Sequence, residues 1–247
     1  MEPRVAERRK DGRLAIEGMA TGSYEDIHTA RFGNAAVEVA PLEFVRPLSD
    51  LCLRAAALHF RSRPTFAGVP EKYKDRLASL IPTDLELRVS APLIDNEIYW
   101  KRSATDLFDY TLPADHGHSW KQLFFEKTVE EACEKFDPIK SPDAQRELAD
   151  LLSVARDFVF KLKIRQFASH ADIGFLFDAL PNLYSLSITF GSRNVGMKYE
   201  RSIFGMKLAD AECLSQQLPR TETLTTLVLN ENILDDEKVR RLVVGLR

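Results

Sequence analysis

The chain has 247 residues, with 34 lysines and arginines against 37 aspartates and glutamates, a formal charge of −3. That balance leaves no general basic excess for neutralising phosphates, so nucleic acid is not an expected partner. With 45% hydrophobic residues, 11 glycines and 12 prolines, the chain can bury a core without staples, and collagen-like and low-complexity classes are excluded.

Residues 1–40 are weakly patterned, and the first 13 hold five basic and three acidic residues. They read as a flexible or partner-bound N-terminal arm. They also lack the apolar core of a signal peptide. No run approaches the roughly 20 apolar residues of a membrane span, so no membrane partner is expected. Three cysteines, Cys52, Cys133 and Cys213, stand about 80 residues apart without a CxxC pair, which reads as free thiols in a reducing compartment.

From residue 41 the pattern tightens. Ser49 is placed to cap a helix over Asp50–Phe60 with Leu51, Leu58 and neighbouring alanines on its apolar side. Pro70 suits the first turn of a second helix, Glu71–Ile81, with Tyr73, Leu77, Leu80 and Ile81 at helical spacing. Leu85–Val89 alternates and reads as a short strand or an extended connector. Asp95 is the expected cap of a helix carrying Ile98, Tyr99, Trp100, Leu107 and Phe108.

After a loop over 110–119, Ser119 caps a helix over Trp120–Phe136. Its Phe125, Val129, Ala132, Cys133 and Phe136 fall on one face. Ser141-Pro142 opens another helix, with Ala144, Leu148, Leu151, Leu152 and Ala155 at the same spacing. Residues 41–156 therefore read as a mostly helical module of about five helices.

The last third changes period. Leu224-Thr-Thr-Leu227-Val-Leu229-Asn-Glu-Asn232-Ile-Leu234 matches LxxLxLxxNxL position for position, the leucine-rich-repeat pattern. Leu227 and Leu229 point inward from a short strand, Leu224 and Leu234 fill flanking layers, and the Asn232 amide bonds backbone where the chain leaves the strand. Asp235 opens a helix over Asp236–Leu246 with Val239, Leu242, Val243 and Leu246 on one side.

The LxxLxL core recurs at Leu183–Ile188, preceded by a helical stretch Ala171–Leu180, and at Val159–Ile164. The repeats start 24 and then 41 residues apart. The longer period implies an insertion near 191–205, ahead of a helix over Ala209–Leu218. The expected class is α/β: a helical module (41–156) followed by a leucine-rich-repeat solenoid (157–247) of at least three strand–helix repeats. Because the pattern stops inside the third repeat's helix, with no polar cap after it, the array reads as incomplete at the C-terminus, with the chain expected to continue.

Three segments stand outside anything repeat geometry requires: Ala91–Arg102 (APLIDNEIYWKR), Ser119–Glu126 (SWKQLFFE) and Val195–Phe204 (VGMKYERSIF). With Asp235–Lys238 and Arg240, they make the chain resemble the t-complex-associated testis-expressed protein family, the leucine-rich-repeat subunit of the nexin–dynein regulatory complex. The likeness runs from about residue 45 onward. It implies a non-enzymatic scaffold in the axoneme of motile cilia and flagella, linking doublet microtubules and relaying control to dynein arms. The implied partners are other coiled-coil and repeat subunits of that complex in a hetero-oligomeric assembly, with dynein arms or microtubules nearby.

No P-loop, GxGxxG, GxSxG or HExxH is present, so no catalytic residue and no cofactor is expected. Asp115-His116-Gly-His118 is the one histidine cluster and lacks further ligands at zinc spacing, so it reads as a polar loop. Trp100, Trp120, Phe124 and Phe125 read as core rather than a ligand cage.

The repeats do offer a wall. Alternation sends Lys161, Lys163 and Arg165 outward from the first strand, Ser185, Ser187 and Thr189 from the second, and Thr226, Val228 and Asn230 from the third. This basic stripe beside a small-polar one is the expected docking site for an acidic helix or tail. Residues 1–150 carry 21 basic and 26 acidic residues and residues 151–247 carry 13 and 11, so the repeats are the more cationic part. An F-box-like substrate receptor of a ubiquitin ligase shares the layout of helices before repeats, although no Leu-Pro-led F-box start is present.

Overall fold

The computed structural model describes residues 46–109, 112–137, 143–169, 171–191 and 204–246. The N-terminal arm, Ser141-Pro142 and most of the insertion at 191–205 lie outside the described residues. From Pro47 onward the chain forms one compact unit. Among the described residues it is an α/β arrangement in which six α-helices precede a small parallel sheet whose strands alternate with three further α-helices.

Helix α1 spans Leu48–Leu58 behind Pro47, whose carbonyl accepts from Asp50 N and Leu51 N. Ser49 is not its cap. The helix carries two apolar stripes, and the one that turns inward is Leu53, Ala57 and the following Phe60; Leu51 and Leu58, expected inside, are exposed. The roll is set by Phe60 against Phe66 and by an ion pair from Arg76 to Asp50 at 2.7 Å. Helix α2, Glu71–Ala78, buries Leu77, and Ile81 is buried in the turn after it.

The alternating run at Leu85–Val89 is not extended: Leu87–Leu93 forms helix α3. Val89 N and Ser90 N both bond Glu86 O at 3.0 Å, and Ala91 and Ile94 supply the buried positions. Pro92, which has no N–H to continue the ladder, keeps the helix short. The cap of α4, Glu97–Leu107, is Asn96 rather than Asp95: Asn96 Oδ1 accepts from Ile98 N at 2.9 Å. Asp95 instead pairs with Lys121.

Helix α5, Trp120–Lys135, starts as its sequence predicts, with Gln122 N donating to Ser119 Oγ. Phe125, Val129, Cys133 and Phe136 are buried along one face. Helix α6, Ala144–Ala155, buries Leu148, Leu152 and Ala155 in the same way.

Strands β1 (Lys161–Phe167), β2 (Ser185–Phe190) and β3 (Thr226–Val228) pair in parallel in the order 1-2-3. Lys161, Ser185 and Thr226 lie in register, as do Leu162, Leu186 and Leu227, so the three LxxLxL segments stack layer on layer. Helices α7 (Gly174–Ala179), α8 (Leu208–Gln217) and α9 (Asp236–Gly245) follow the strands. Asn232 is buried and ties the third unit to the second: Oδ1 accepts from Phe190 N at 2.7 Å while Nδ2 donates to Ile188 O at 2.8 Å.

One core runs through helices and sheet. Phe136 of the helical part meets Phe167 and Phe175, and Phe167 meets Phe190. Two layers expected to be filled are not. Leu234 is exposed, and on α9 only Leu242 and Gly245 are buried while Val239, Val243 and Leu246 face outward. The reason is the roll of α9 onto α8. Gly245 lies so close to Ser215 that a Cβ there would stand 2.3 Å from the Ser215 carbonyl oxygen.

Candidate interaction surface

Alternation along β1 and β2 buries Leu162, Ile164, Leu186 and Ile188 and leaves Lys161, Lys163, Arg165, Ser185, Ser187 and Thr189 on the opposite face. Thr226 and Asn230 are exposed beside them and Val228 is half-buried. Lys161, Ser185 and Thr226 form one row across the strands, and Lys163, Ser187 and Val228 the next. Thr189 Oγ1 donates to Asn230 O at 3.1 Å. Register thus sets Lys161, Lys163, Ser185, Ser187, Thr226 and Val228 in two rows across the strands, with the lysines on the first strand.

The cations differ in their freedom. Lys161 Nζ donates to Asp115 O at 3.0 Å and sits 5.7 Å from the Tyr184 ring centre. Lys163 and Arg165 are exposed.

The outer edge of β1 is closed by α5. Lys161 N donates to Glu126 Oε1 at 2.8 Å, Lys163 N to Glu130 Oε1 at 2.7 Å and Arg165 N to Glu134 Oε1 at 2.9 Å. The match is geometric. Four helical residues advance about 6 Å, and two strand residues advance about 6.6 Å. Glutamates at i, i+4 and i+8 therefore meet every second strand amide, and the edge offers those amides to no further strand.

Glu126 is fully buried and saturated. It also accepts from Phe160 N at 2.9 Å and Gln122 Nε2 at 2.9 Å, and it pairs with His116 Nδ1. The loop histidine is thereby part of the edge closure. The signal for this ladder was present as Glu126, Glu130 and Glu134, each one residue beyond Phe125, Val129 and Cys133 of the apolar face. It carries meaning only once β1 is known to lie alongside.

Burial raises the Cys133 thiol to about 12, with Glu130 and Glu134 adding to the effect. The Cys213 thiol and Gly174 N–H hold the Asp172 carboxyl below its ordinary range.

No protein-family profile matches the chain. Among curated proteins, it is 42% identical over 203 residues to Dynein regulatory complex subunit 5 of Chlamydomonas reinhardtii, covering 82% of this chain and 52% of that protein. The chain is a homologue of dynein regulatory complex subunit 5. The mouse protein of the same name is 26% identical over 234 residues and the human one 25% over 233, each covering 83% of this chain and 46% of the relative. The chain thus spans about half the length of the curated relatives it matches.

The family likeness read from Ala91–Arg102 and Ser119–Glu126 falls on the aromatic centre of the helical part. Trp100 meets Tyr99, Phe124 and Phe125 with ring centres 5.1–5.2 Å away, and its indole N–H donates to Ile94 O. Lys121 Nζ lies over the Phe158 ring at 4.3 Å. These segments shape the core that holds α4 and α5 together, and through α5 the edge of the sheet.

Proposed function

We propose that this chain is a non-enzymatic scaffold and regulatory subunit of the dynein regulatory complex in the axoneme of motile cilia and flagella. It acts through protein–protein contacts within the link between doublet microtubules, among coiled-coil and repeat subunits. The observation that carries this reading is the 42% identity to the algal subunit across four fifths of the chain. In this reading the three strand–helix units are leucine-rich repeats of a solenoid, supported by the stacked LxxLxL register and the Asn232 tie. The helical part flanks the array and closes its first edge.

The wall of Lys163, Arg165 and the rows of Ser187, Thr189 and Asn230 docks an acidic helix or tail of a neighbouring subunit. Support comes from the exposed cations beside small polar side chains, which admit a close approach.

The test is fractionation. The protein should stay with salt-washed axonemes of wild-type cells and be lost from axonemes of mutants lacking the complex. Retention in those mutants overturns the reading, as does co-purification with a ubiquitin-ligase adaptor and cullin in place of axonemal subunits. Reversing Lys161, Lys163 and Arg165 to glutamate should weaken one subunit contact and flatten its salt dependence. Unchanged co-purification removes the wall from the account.

A further inference from the structure

We propose that the outer face of α1 is a second docking surface, built for an α-helix with a leucine seam and acidic flanks. The face is separate from the wall and does not rest on its role. Leu48, Leu51, Ala55 and Leu58 are spaced 3-4-3, the a and d positions of a heptad. All four are exposed, Leu48 at 76% and Leu58 at 80%.

Three observations give this face its meaning. The opposite face of the same helix is fixed in the core by Leu53, Ala57 and Phe60, so the seam is held rigid and outward. Ala55 sits mid-seam, where a small side chain lets a second backbone come close. The flanks are cationic or neutral: Arg54 is exposed on one side, Cys52 and His59 on the other. The only carboxylate of α1, Asp50, is turned away into its pair with Arg76. A partner helix with glutamates beside its seam meets Arg54 favourably, and one with lysines meets it with repulsion. At 11 residues, about 16 Å, the seam is too short for a stable two-stranded coil by itself, which suits a contact made inside a larger assembly.

Cys52 lies within the face and reports on it. The full chain carrying Cys213→Ser is alkylated with a maleimide, with and without a synthetic three-heptad helix having leucine at a and d and glutamate at e and g. A twin peptide carries lysine at e and g. The glutamate peptide should slow Cys52 alkylation and bind about tenfold more tightly than its twin. Arg54→Glu should reverse that preference. Leu51→Glu with Leu58→Glu, both at exposed positions, should abolish binding, while the Lys161, Lys163 and Arg165 reversals should leave it intact.

Equal affinity for both peptides overturns the proposal, as does binding that survives the leucine changes. Self-association of the chain that the leucine changes dissolve would assign the face to a second copy. Slow alkylation of Cys52 without any peptide would mean the face is already covered. Either result also overturns the proposal.

Discussion

The carboxylate ladder from α5 to β1 makes a graded prediction. Glu126→Ala removes the acceptor for Phe160 N and Lys161 N and strips Gln122 and His116 of their partner, in a fully buried place. An unsatisfied buried N–H costs about 1–3 kcal/mol, and two backbone amides lose their acceptor here. The whole loss should therefore be about 2–6 kcal/mol, a large share of the roughly 5–15 kcal/mol a domain possesses.

Glu130→Ala frees one amide, that of Lys163, and releases Lys127 from a nearly buried pair, which should cost about 1–3 kcal/mol. Glu134 is partly solvated, so water replaces it at Arg165 N for about 0.5–1 kcal/mol. Glu126→Gln keeps one oxygen for the two backbone amides and should fall below Glu126→Ala. Urea unfolding followed by circular dichroism gives the three costs. Amide exchange should show protection lost at Lys161, Lys163 or Arg165 in step with the residue changed. Three equal costs, or protection lost only globally, would refute the view that these carboxylates close the edge individually.

Other expectations follow from single contacts. Gly245→Ala places a methyl 2.3 Å from Ser215 O and should cost about 1–3 kcal/mol by prising α9 from α8, read as a lower urea midpoint with an unchanged slope. Asn232→Ala leaves Phe190 N and Ile188 O unpaired in a buried place and should cost about 2–4 kcal/mol, whereas a loss below 1 kcal/mol would show the tie to be dispensable. Thiol titration at pH 8 should find Cys52 fast and Cys133 unreactive until the chain unfolds, because burial holds Cys133 protonated far above that pH.

Much of this protein was legible in its sequence, for local reasons. The five-position spacing on α6 fixed its inward face because a helix has one period and this segment one apolar stripe, whereas on α5 Leu123 and Phe124 are buried as well, off the face that spacing marks. Ser119 and Asp235 cap their helices as their positions predict, since a cap bond reaches only three residues. The LxxLxL segments lie in register, and Asn232 bonds backbone as its place in the pattern requires. Alternation along β1 and β2 is likewise the burial pattern of both strands.

What remained was decided by contacts between distant residues. On α1 two apolar stripes competed, and sequence has no means to choose between them. Phe66 and Arg76 chose Leu53 and Ala57, leaving Leu51 and Leu58 outside. Leu85–Val89 alternates like a strand yet pairs with no strand among the described residues, and its backbone is satisfied as a helix from Glu86. The glutamates of α5 became an edge closure only because β1, more than thirty residues later, runs beside them at a matching step. Periodicity sets which face of an element is apolar; the tertiary structure alone sets which apolar face finds a partner.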